Sequence, residues 1–412
     1  MGAKLGDFCT QPHAAEYKQN WGMMSVKAQK RTGRGVRVRR NVFSLAAVLC
    51  FALLMMSGCV ISPRRTLGGS ASPSPTPTAT PSPTPSASPT PTPVVPTNRL
   101  YVSNQNTNSI VRFDNGLTAT GNIAPSAVIS GTATTLNAPQ YLAFDSVHDR
   151  LFVANVSAGT ILIFDSASKL TGNAPPTRTI GGTVSGLTSP SDVAYDATHD
   201  ALYVLDVTDI LVYNGISNPA VNGDRLPDKD IRVAFNLTAI FLDVASDRLY
   251  GADAADNAIQ IWDNVSALPS GVAPVSRTLG GVATKLASPF GVALDPSKNL
   301  VVSNAGGAGS ITVYTAASVA TGTSPLNVAP VADITGANTT LATPAQIILN
   351  PLPTAGEIIA ADTAAGAVSA FSNVVASGGN TAPVRHIVGS STTLTITGQP
   401  TARGVALDTT PR

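Results

Sequence analysis

Short apolar runs separated by turn-forming residues fill the chain from residue 98 onward. One period reads LFVAN (151–155), TILIFD (160–165), TRTI (177–180) and DVAYD (192–196). Each run has strand length and β-branched or aromatic content, and each is bounded by Asn, Asp, Gly, Ser or Pro. No window in this region places apolar residues at helical spacing. The pattern therefore predicts four strands per period and no helices.

Near copies of this period recur about every fifty residues, a spacing typical of propellers, solenoids and arrays. The run predicted to be innermost ends in Asp or Asn at Asp145, Asp196, Asp243, Asp295, Asn350 and Asp408. The strand that follows begins at residues 100, 151, 202, 249, 300 and 357. Six copies of each predict six four-stranded blades.

The chain starts on the second strand of a blade and ends on the first. GVALD (404–408) is therefore predicted to pair beside LYVSN (100–104), which brings the two ends of the domain together. Closing the ring in this way removes sheet edges that would otherwise be exposed.

A family resemblance rests on the repeated motifs P-x-x-V-A-x-D, R-L-Y-V-A-N/D and I-x-V-F-D over residues 98–412. This pattern resembles NHL-type and related six-bladed β-propeller repeats. The resemblance implies an all-β propeller, but such scaffolds host ligand binders, interaction modules, lactonases and lyases alike.

The segment before the repeats has the marks of an export signal. A basic stretch (27–40) precedes an uncharged apolar run (41–56) and then Ser57, Gly58 and Cys59. The apolar run is shorter than the roughly 20 residues of a membrane span. It resembles a bacterial lipoprotein signal, which implies cleavage after residue 58 and a lipid on Cys59; an uncleaved signal anchor is the alternative.

Residues 59–97 are predicted to be a tether between the lipid and the propeller. Residues 72–96 hold ten Pro among Ser, Thr and Ala, a composition that favours extended polyproline II over a packed core. An O-glycosylated stalk and a docking segment for a Pro-binding partner are the alternatives. We expect an exported lipoprotein, membrane-anchored at the periplasmic face or the cell surface.

Charge is distributed unevenly along the chain. Residues 1–40 carry nine Lys or Arg against two acids, whereas residues 98–412 carry fifteen against twenty-two, a net charge of −7. An acidic domain disfavours nucleic acid as a partner. The three cysteines all lie at or before residue 59, so the propeller is predicted to contain no disulfide. We expect a monomer.

Catalytic signatures are sparse. The chain has no H-E-x-x-H, no G-x-S-x-G and no phosphate-binding glycine loop before a helix. We therefore assign no catalytic residue, no metal site and no cofactor. The Asn or Asp that recurs after each second strand is predicted to cap a turn, as a residue needed in every blade would.

Function on a repeat scaffold is expected where the blades differ. The least repeated central positions lie just before each innermost run, where loops rim the channel. They are Gln140, Tyr141, Ser191, Asp192, Thr238, Phe290, Gln346 and Arg403. We predict that they bind a small polar ligand, a peptide or a protein without catalysis; an exported lactonase-like hydrolase or lyase with a metal in the channel is the alternative.

Overall fold

The computed structural model describes residues 98–351, 356–376, 378–396 and 399–410. The predicted leader (1–58) and tether (59–97) lie outside these residues.

The described residues form six blades of four antiparallel strands, and the first blade is completed by the last strand. The sheet of blade 3 also gains a fifth, parallel strand, Gly271–Val272. Blade 1 contains β1 (Arg99–Asn104), β2 (Ser109–Phe113) and β3 (Ala127–Ser130). Blade 2 contains β4 (Pro139–Asp145), β5 (Arg150–Asn155), β6 (Thr160–Asp165) and β7 (Arg178–Gly181). Blade 3 contains β8 (Pro190–Asp196), β9 (Ala201–Asp206), β10 (Asp209–Asn214) and β11 (Lys229–Arg232).

The remaining blades follow in the same order. Blade 4 contains β12 (Leu237–Asp243), β13 (Arg248–Asp253), β14 (Ala258–Asp263) and β16 (Arg277–Gly280). The short β15 (Gly271–Val272), which lies between β14 and β16 in the chain, pairs in parallel with β11 of blade 3. Blade 5 contains β17 (Pro289–Leu294), β18 (Leu300–Asn304), β19 (Ser310–Tyr314) and β20 (Ala332–Thr335). Blade 6 contains β21 (Pro344–Leu349), β22 (Ile358–Asp362), β23 (Ala367–Phe371) and β24 (Arg385–Ile387). A small pair, β25 (Thr395–Ile396) and β26 (Gln399–Pro400), precedes β27 (Ala402–Asp408). The six-bladed propeller predicted from the repeat is confirmed.

Helical structure in the described residues is limited to short turns, so the prediction of no helices needs a small correction. One α-helical turn, α1 (Ala316–Ala320), starts after Thr315, whose hydroxyl accepts a hydrogen bond from the Ser318 N–H. Turns of 3₁₀ type span Gln105–Thr107, Thr132–Thr134, Val156–Ala158, Ala167–Lys169, Val244–Ser246, Val265–Ala267, Val282–Thr284, Ala337–Thr339 and Ser390–Thr392. In the described part of the chain, no helix has the length and apolar character to cross a membrane.

Ring closure by the last strand is also confirmed. β27 pairs antiparallel with β1, with Leu407 opposite Leu100 and Val405 opposite Val102. At the end of this pair the Arg99 guanidinium lies 3.1 Å from the buried Asp408 carboxylate. The strand that ends the domain is thus the innermost strand of its first blade.

A second set of contacts joins neighbouring blades at larger radius. Between blades 1 and 2, Gly172 forms a parallel bridge with Ile129, and the Asn173 side chain accepts a hydrogen bond from the Ala133 N–H at 2.7 Å. The junction between blades 6 and 1 repeats the arrangement, because Gly121 bridges Ile387 and Asn122 accepts from the Ser391 N–H. The ring is therefore closed near the axis and again near the rim.

The core lies between the faces of adjacent blades. Strands such as β1 and β5 are buried along their whole length, because each sheet packs against a neighbour on both faces. Tyr101 of blade 1 stacks on Phe144 of blade 2 with ring centroids 5.2 Å apart. This packing fixes the six innermost strands around the axis.

Candidate ligand-binding site at the channel mouth

The six innermost strands, β4, β8, β12, β17, β21 and β27, surround a central cavity of about 310 Å³. Its wall is mainly apolar, and each strand contributes a buried aliphatic side chain: Leu142, Val193, Ile240, Val292, Ile347 and Val405. Further along the strands, lining residues such as Phe144, Tyr195 and Leu407 are partly exposed. We call the end where these strands begin the mouth, and the end where they finish the turn end.

A β-bulge marks the beginning of every innermost strand. In the pairing of each innermost strand with the second strand of its blade, the register shifts by a bulge. The shift follows Pro139, Pro190, Leu237, Pro289 and Pro344, and in β27 it lies between Ala402 and Val405. A bulge interrupts the pairing and redirects side chains. All eight residues predicted to bind ligand lie at these bulges, so the structure places them together around the mouth.

Tyr141 crosses the channel. It begins in blade 2, and its hydroxyl donates a hydrogen bond to the Phe290 carbonyl of blade 5, on the opposite side of the ring, at 3.1 Å. The side chain is fully buried. Burial raises the pKa of the Tyr141 phenol far above its usual range, although the charge of Arg403 opposes the shift. Tyr141 is therefore an uncharged side chain that links blades 2 and 5 across the channel.

Arg403 lies over two aromatic rings. Its guanidinium carbon is 4.9 Å from the centroid of Phe290 and 5.8 Å from the centroid of Tyr141, both within the range of cation–π interaction. Among the described residues, Arg403 has no carboxylate within 4.0 Å and its enclosed Nε has no hydrogen-bond partner. In the part of the chain that the structure describes, the mouth thus holds a cation with no carboxylate within ion-pair distance.

Gln346 joins three innermost strands. Its Oε1 accepts hydrogen bonds from the N–H groups of Leu142 at 3.1 Å and Val405 at 2.8 Å, and its Nε2 donates to the Leu142 carbonyl at 2.9 Å. The amide therefore links β21 to β27 and β4, and its bonding capacity is largely used by the protein itself.

Asp192 is an acid buried in the channel wall, with 1% of its surface exposed. One carboxylate oxygen accepts from the Val193 N–H at 2.7 Å and the other from the Ile240 N–H of the next blade at 2.8 Å. Burial raises the pKa of this carboxyl well above its usual range, and the two N–H bonds only partly oppose the shift. Thr238 makes a similar link, because its hydroxyl donates to the Pro289 carbonyl of blade 5 at 2.8 Å.

Gln140 and Ser191 differ from these cross-linking residues. Both are partly exposed at the mouth, on the blades that follow Arg403 around the ring. Among the described residues, neither side chain has a hydrogen-bond partner, although Ser103 donates to the Gln140 backbone carbonyl. Their polar groups therefore remain available to a ligand.

Two glycine–serine pairs at the mouth could be recognised only from the structure. A Cβ added to Gly404 would lie 2.3 Å from the Gln140 carbonyl, and one added to Gly291 would lie 2.3 Å from the Ala345 carbonyl. Ser103 accepts from the Gly404 N–H at 2.8 Å, and Ser303 donates to the Ala345 carbonyl at 2.6 Å. The repeated GVALD and VSN segments, which occur together in blades 1 and 5, are the sequence feature that the two pairs share.

The polar residues that recur in every blade are structural. Asp206 accepts from the Thr188 and Ser189 N–H groups, and Asp362 accepts from the Ala342 and Thr343 N–H groups. The prediction that this set caps the turn after its own strand is confirmed only for Asp253 and Asp362, which accept from the Asp256 and Ala365 N–H groups. Asn104 and Asn155 do not cap the turn that follows them, and Asp206 and Asp362 instead cap the loop that leads into the innermost strand of their blade. Among the described residues, no three His, Cys, Asp or Glu side chains are grouped so that they could hold a metal ion.

Comparisons with known proteins identify the architecture. No protein-family model and no curated protein matches the chain. It is similar to a chain in the crystal structure of a nidogen/laminin complex, at 15% identity and a TM-score of 0.50, covering 76% of this chain and 98% of that chain. This likeness supports the fold alone, which is that of a six-bladed β-propeller.

Two weaker likenesses were also found. A functionally unknown protein from Desulfotomaculum acetoxidans is 14% identical, with a TM-score of 0.45 and coverage of 74% of this chain and 84% of that chain. Hydrazine synthase from Kuenenia stuttgartiensis is 16% identical, with a TM-score of 0.39 and coverage of 59% of this chain and 68% of that chain. Neither adds to the argument.

Proposed function

We propose that this protein is a surface-anchored lipoprotein that displays a non-catalytic β-propeller of the NHL-type or a related kind, and that the propeller binds a ligand or protein at its mouth. One observation carries the binding role. The mouth gathers side chains that differ between blades, and among them Arg403, Gln140 and Ser191 keep polar groups that have no hydrogen-bond partner among the described residues. Binding sites are characteristically formed by such convergent polar groups on a rigid scaffold.

The lactonase-like alternative has weaker support. Asp192 is the acid of the described channel wall, and each of its carboxylate oxygens already accepts a backbone N–H. No other Asp and no Glu, His or Cys lines the described cavity, so its lining offers a metal ion one carboxylate only. We therefore favour binding without catalysis.

Display at a membrane is supported by the order of segments along the chain. The basic and apolar leader, Cys59 and the Pro-rich tether precede the propeller in the arrangement expected of a lipidated, exported protein. Growth with a labelled fatty acid tests this part of the proposal. Label should appear on the wild-type chain and on a Cys50→Ala variant but not on Cys59→Ala; equal labelling of the Cys59→Ala chain would contradict it.

Binding at the mouth is tested by thermal-shift screening of the full chain against small molecules and peptides. Because Tyr141 and Gln346 also hold the ring together, truncating them would mix loss of binding with loss of stability. Arg403→Gln is the better variant, and Arg232→Gln, which changes an arginine on the outermost strand of blade 3, is its control. Ligands that stabilise the wild type and the control but not Arg403→Gln would support the proposal. Ligands that act equally on all three chains would contradict it.

A further inference from the structure

Arg403 is the exception among the described arginines. The other nine each have a carboxylate within 4.0 Å: Arg99, Arg112, Arg150, Arg178, Arg225, Arg232, Arg248, Arg277 and Arg385. Residues 98–412 contain twenty-two acids and fifteen Lys or Arg, so the lack of a described carboxylate beside Arg403 does not reflect a shortage of acidic residues. At the mouth, two aromatic rings and no described carboxylate adjoin the guanidinium.

The surroundings of Arg403 hold the cation in place without neutralising it. Phe290 and Tyr141 contact it through their rings, and Tyr141 is itself fixed by its hydrogen bond across the channel. Nε is enclosed, whereas the Arg403 residue as a whole is partly exposed. Its terminal N–H groups are the ones that can reach a ligand. A partly dehydrated, pre-positioned guanidinium binds an anion more strongly than a freely solvated one.

Further donors lie at the mouth on the next two blades. Gln140, on blade 2, carries an amide NH₂, and Ser191, on blade 3, carries a hydroxyl; both are partly exposed and lack hydrogen-bond partners among the described residues. Arg403, Gln140 and Ser191 therefore form an arc of donors over three successive blades, across the ring from Phe290. Arg403 can only donate, whereas Gln140 and Ser191 can both donate and accept, so an acceptor-only group can bond to all three.

We propose that the mouth binds a ligand through a carboxylate group, with Arg403 as the anchoring cation and with Gln140 and Ser191 as additional donors; the proposal rests on the binding function above and specifies its ligand class. A planar carboxylate matches the fork of a guanidinium in a bidentate contact. The net charge of −7 over residues 98–412 opposes a doubly charged phosphate more than a singly charged carboxylate. The aromatic faces favour an apolar or planar body attached to the carboxylate.

The proposal is tested with three probes of similar shape that differ in charge: benzoate, benzamide and benzylammonium. Affinities are measured calorimetrically on the full chain at constant ionic strength, and the Nε–H signals of arginine-labelled protein locate the site. We expect benzoate to bind about tenfold or more tighter than benzamide and to shift the Arg403 signal, which is assigned by its loss in Arg403→Lys. Benzylammonium should not bind there.

The variants separate charge recognition from a structural effect. Arg403→Gln should lower benzoate affinity by about tenfold or more, and Arg403→Lys by less because it keeps the charge but not the fork. Arg232→Gln, on the outermost strand of blade 3, should leave benzoate affinity unchanged. Unchanged benzoate affinity in Arg403→Gln would overturn the proposal, and so would tighter binding of inorganic phosphate than of benzoate.

The neutral and cationic probes distinguish two kinds of failure. If benzamide or benzylammonium shifts the Arg403 signal as strongly as benzoate, the mouth binds ligands but not through carboxylate recognition, so this inference fails while the binding function stands. If no probe shifts that signal or releases heat, the carboxylate proposal is refuted. Failure of the broad thermal-shift screen as well would then refute the binding function.

Discussion

The two ends of the central channel use polar residues in opposite ways. At the turn end, Asp145, Asp196 and Asp295 each accept N–H groups two to four positions further along their own turn. At the mouth, the bonds run across the ring: Tyr141 reaches Phe290, 149 positions away, and Gln346 reaches Leu142, 204 positions away. Near the axis, these three repeated residues therefore act within their own turns, whereas the unrepeated residues at the mouth connect blades or face solvent.

This contrast shows which of the unrepeated residues are available for function. Tyr141, Asp192, Thr238 and Gln346 are occupied by links between blades. Arg403, Gln140 and Ser191 are not occupied by hydrogen bonds of this kind within the described residues. The mouth accordingly contains two sets of residues. Tyr141, Asp192, Thr238 and Gln346 form the structural layer, and Arg403, Gln140 and Ser191 form the ligand-facing layer.

The largest expected effect concerns the close approach of strands at the mouth. Gly404→Ala should lower the free energy of unfolding by about 3 kcal/mol, because the new Cβ would lie 2.3 Å from the Gln140 carbonyl and backbone must shift. Gly280→Ala is a matched control on an outermost strand, where the nearest atom would be the Ala258 Cβ at 3.3 Å. Denaturant unfolding of both variants makes the comparison, and equal losses would contradict the importance of this contact.

A somewhat smaller effect is expected from removing a repeated cap. Asp206→Ala should cost about 2 kcal/mol, since it removes a buried carboxylate that accepts hydrogen bonds from the Thr188 and Ser189 N–H groups and the Thr188 hydroxyl. Ser191→Ala, at the start of the same blade, should change stability by no more than about 0.5 kcal/mol. Chemical denaturation measures both; a greater loss in Ser191→Ala would reverse the assignment of roles.

Much of the fold could be predicted because the blade is a local pattern repeated six times. Residues 151–155, 160–165 and 192–196 all lie in strands, and the pairing of β27 with β1 followed from counting. The bulges were not predicted, because an extra residue in one strand is visible only when its partner strand is aligned with it.

The positions of the eight candidate residues could be predicted from the sequence, but their individual roles could not. All eight predicted residues lie at the mouth, yet nothing in the local sequence distinguishes Gln346, which bonds to two other blades, from Gln140, whose side chain has no described partner. Cross-ring contacts depend on side chains more than a hundred positions apart. Asp192 illustrates this, because it was expected at a solvated rim and is buried in the channel wall.

The buried acid gives a prediction about pH. Because the pKa of Asp192 is raised in the folded state, its contribution to stability is complete below the unfolded pKa of about 3.9 and declines as pH rises through the folded value. The unfolding free energy of Asp192→Asn should therefore rise relative to wild type with increasing pH, even though the amide cannot accept both N–H bonds. Denaturant titrations above about pH 4 test this. Asp256→Asn, which removes an exposed charge, is the control; a pH-independent difference for Asp192→Asn would contradict the prediction.

The smallest expected effect on stability tests the division of the mouth most directly. Gln140→Ala removes a partly exposed side chain with no hydrogen-bond partner among the described residues, so the unfolding free energy should stay within about 0.5 kcal/mol of wild type. If Gln140 belongs to the ligand-facing layer, the same variant should weaken benzoate binding severalfold through the loss of one donor to a charged acceptor. Thermal unfolding and calorimetric titration of one preparation measure both quantities. A loss of stability comparable to that of Asp206→Ala would place Gln140 with the residues that build the ring, and the contrast between the two ends of the channel would no longer hold.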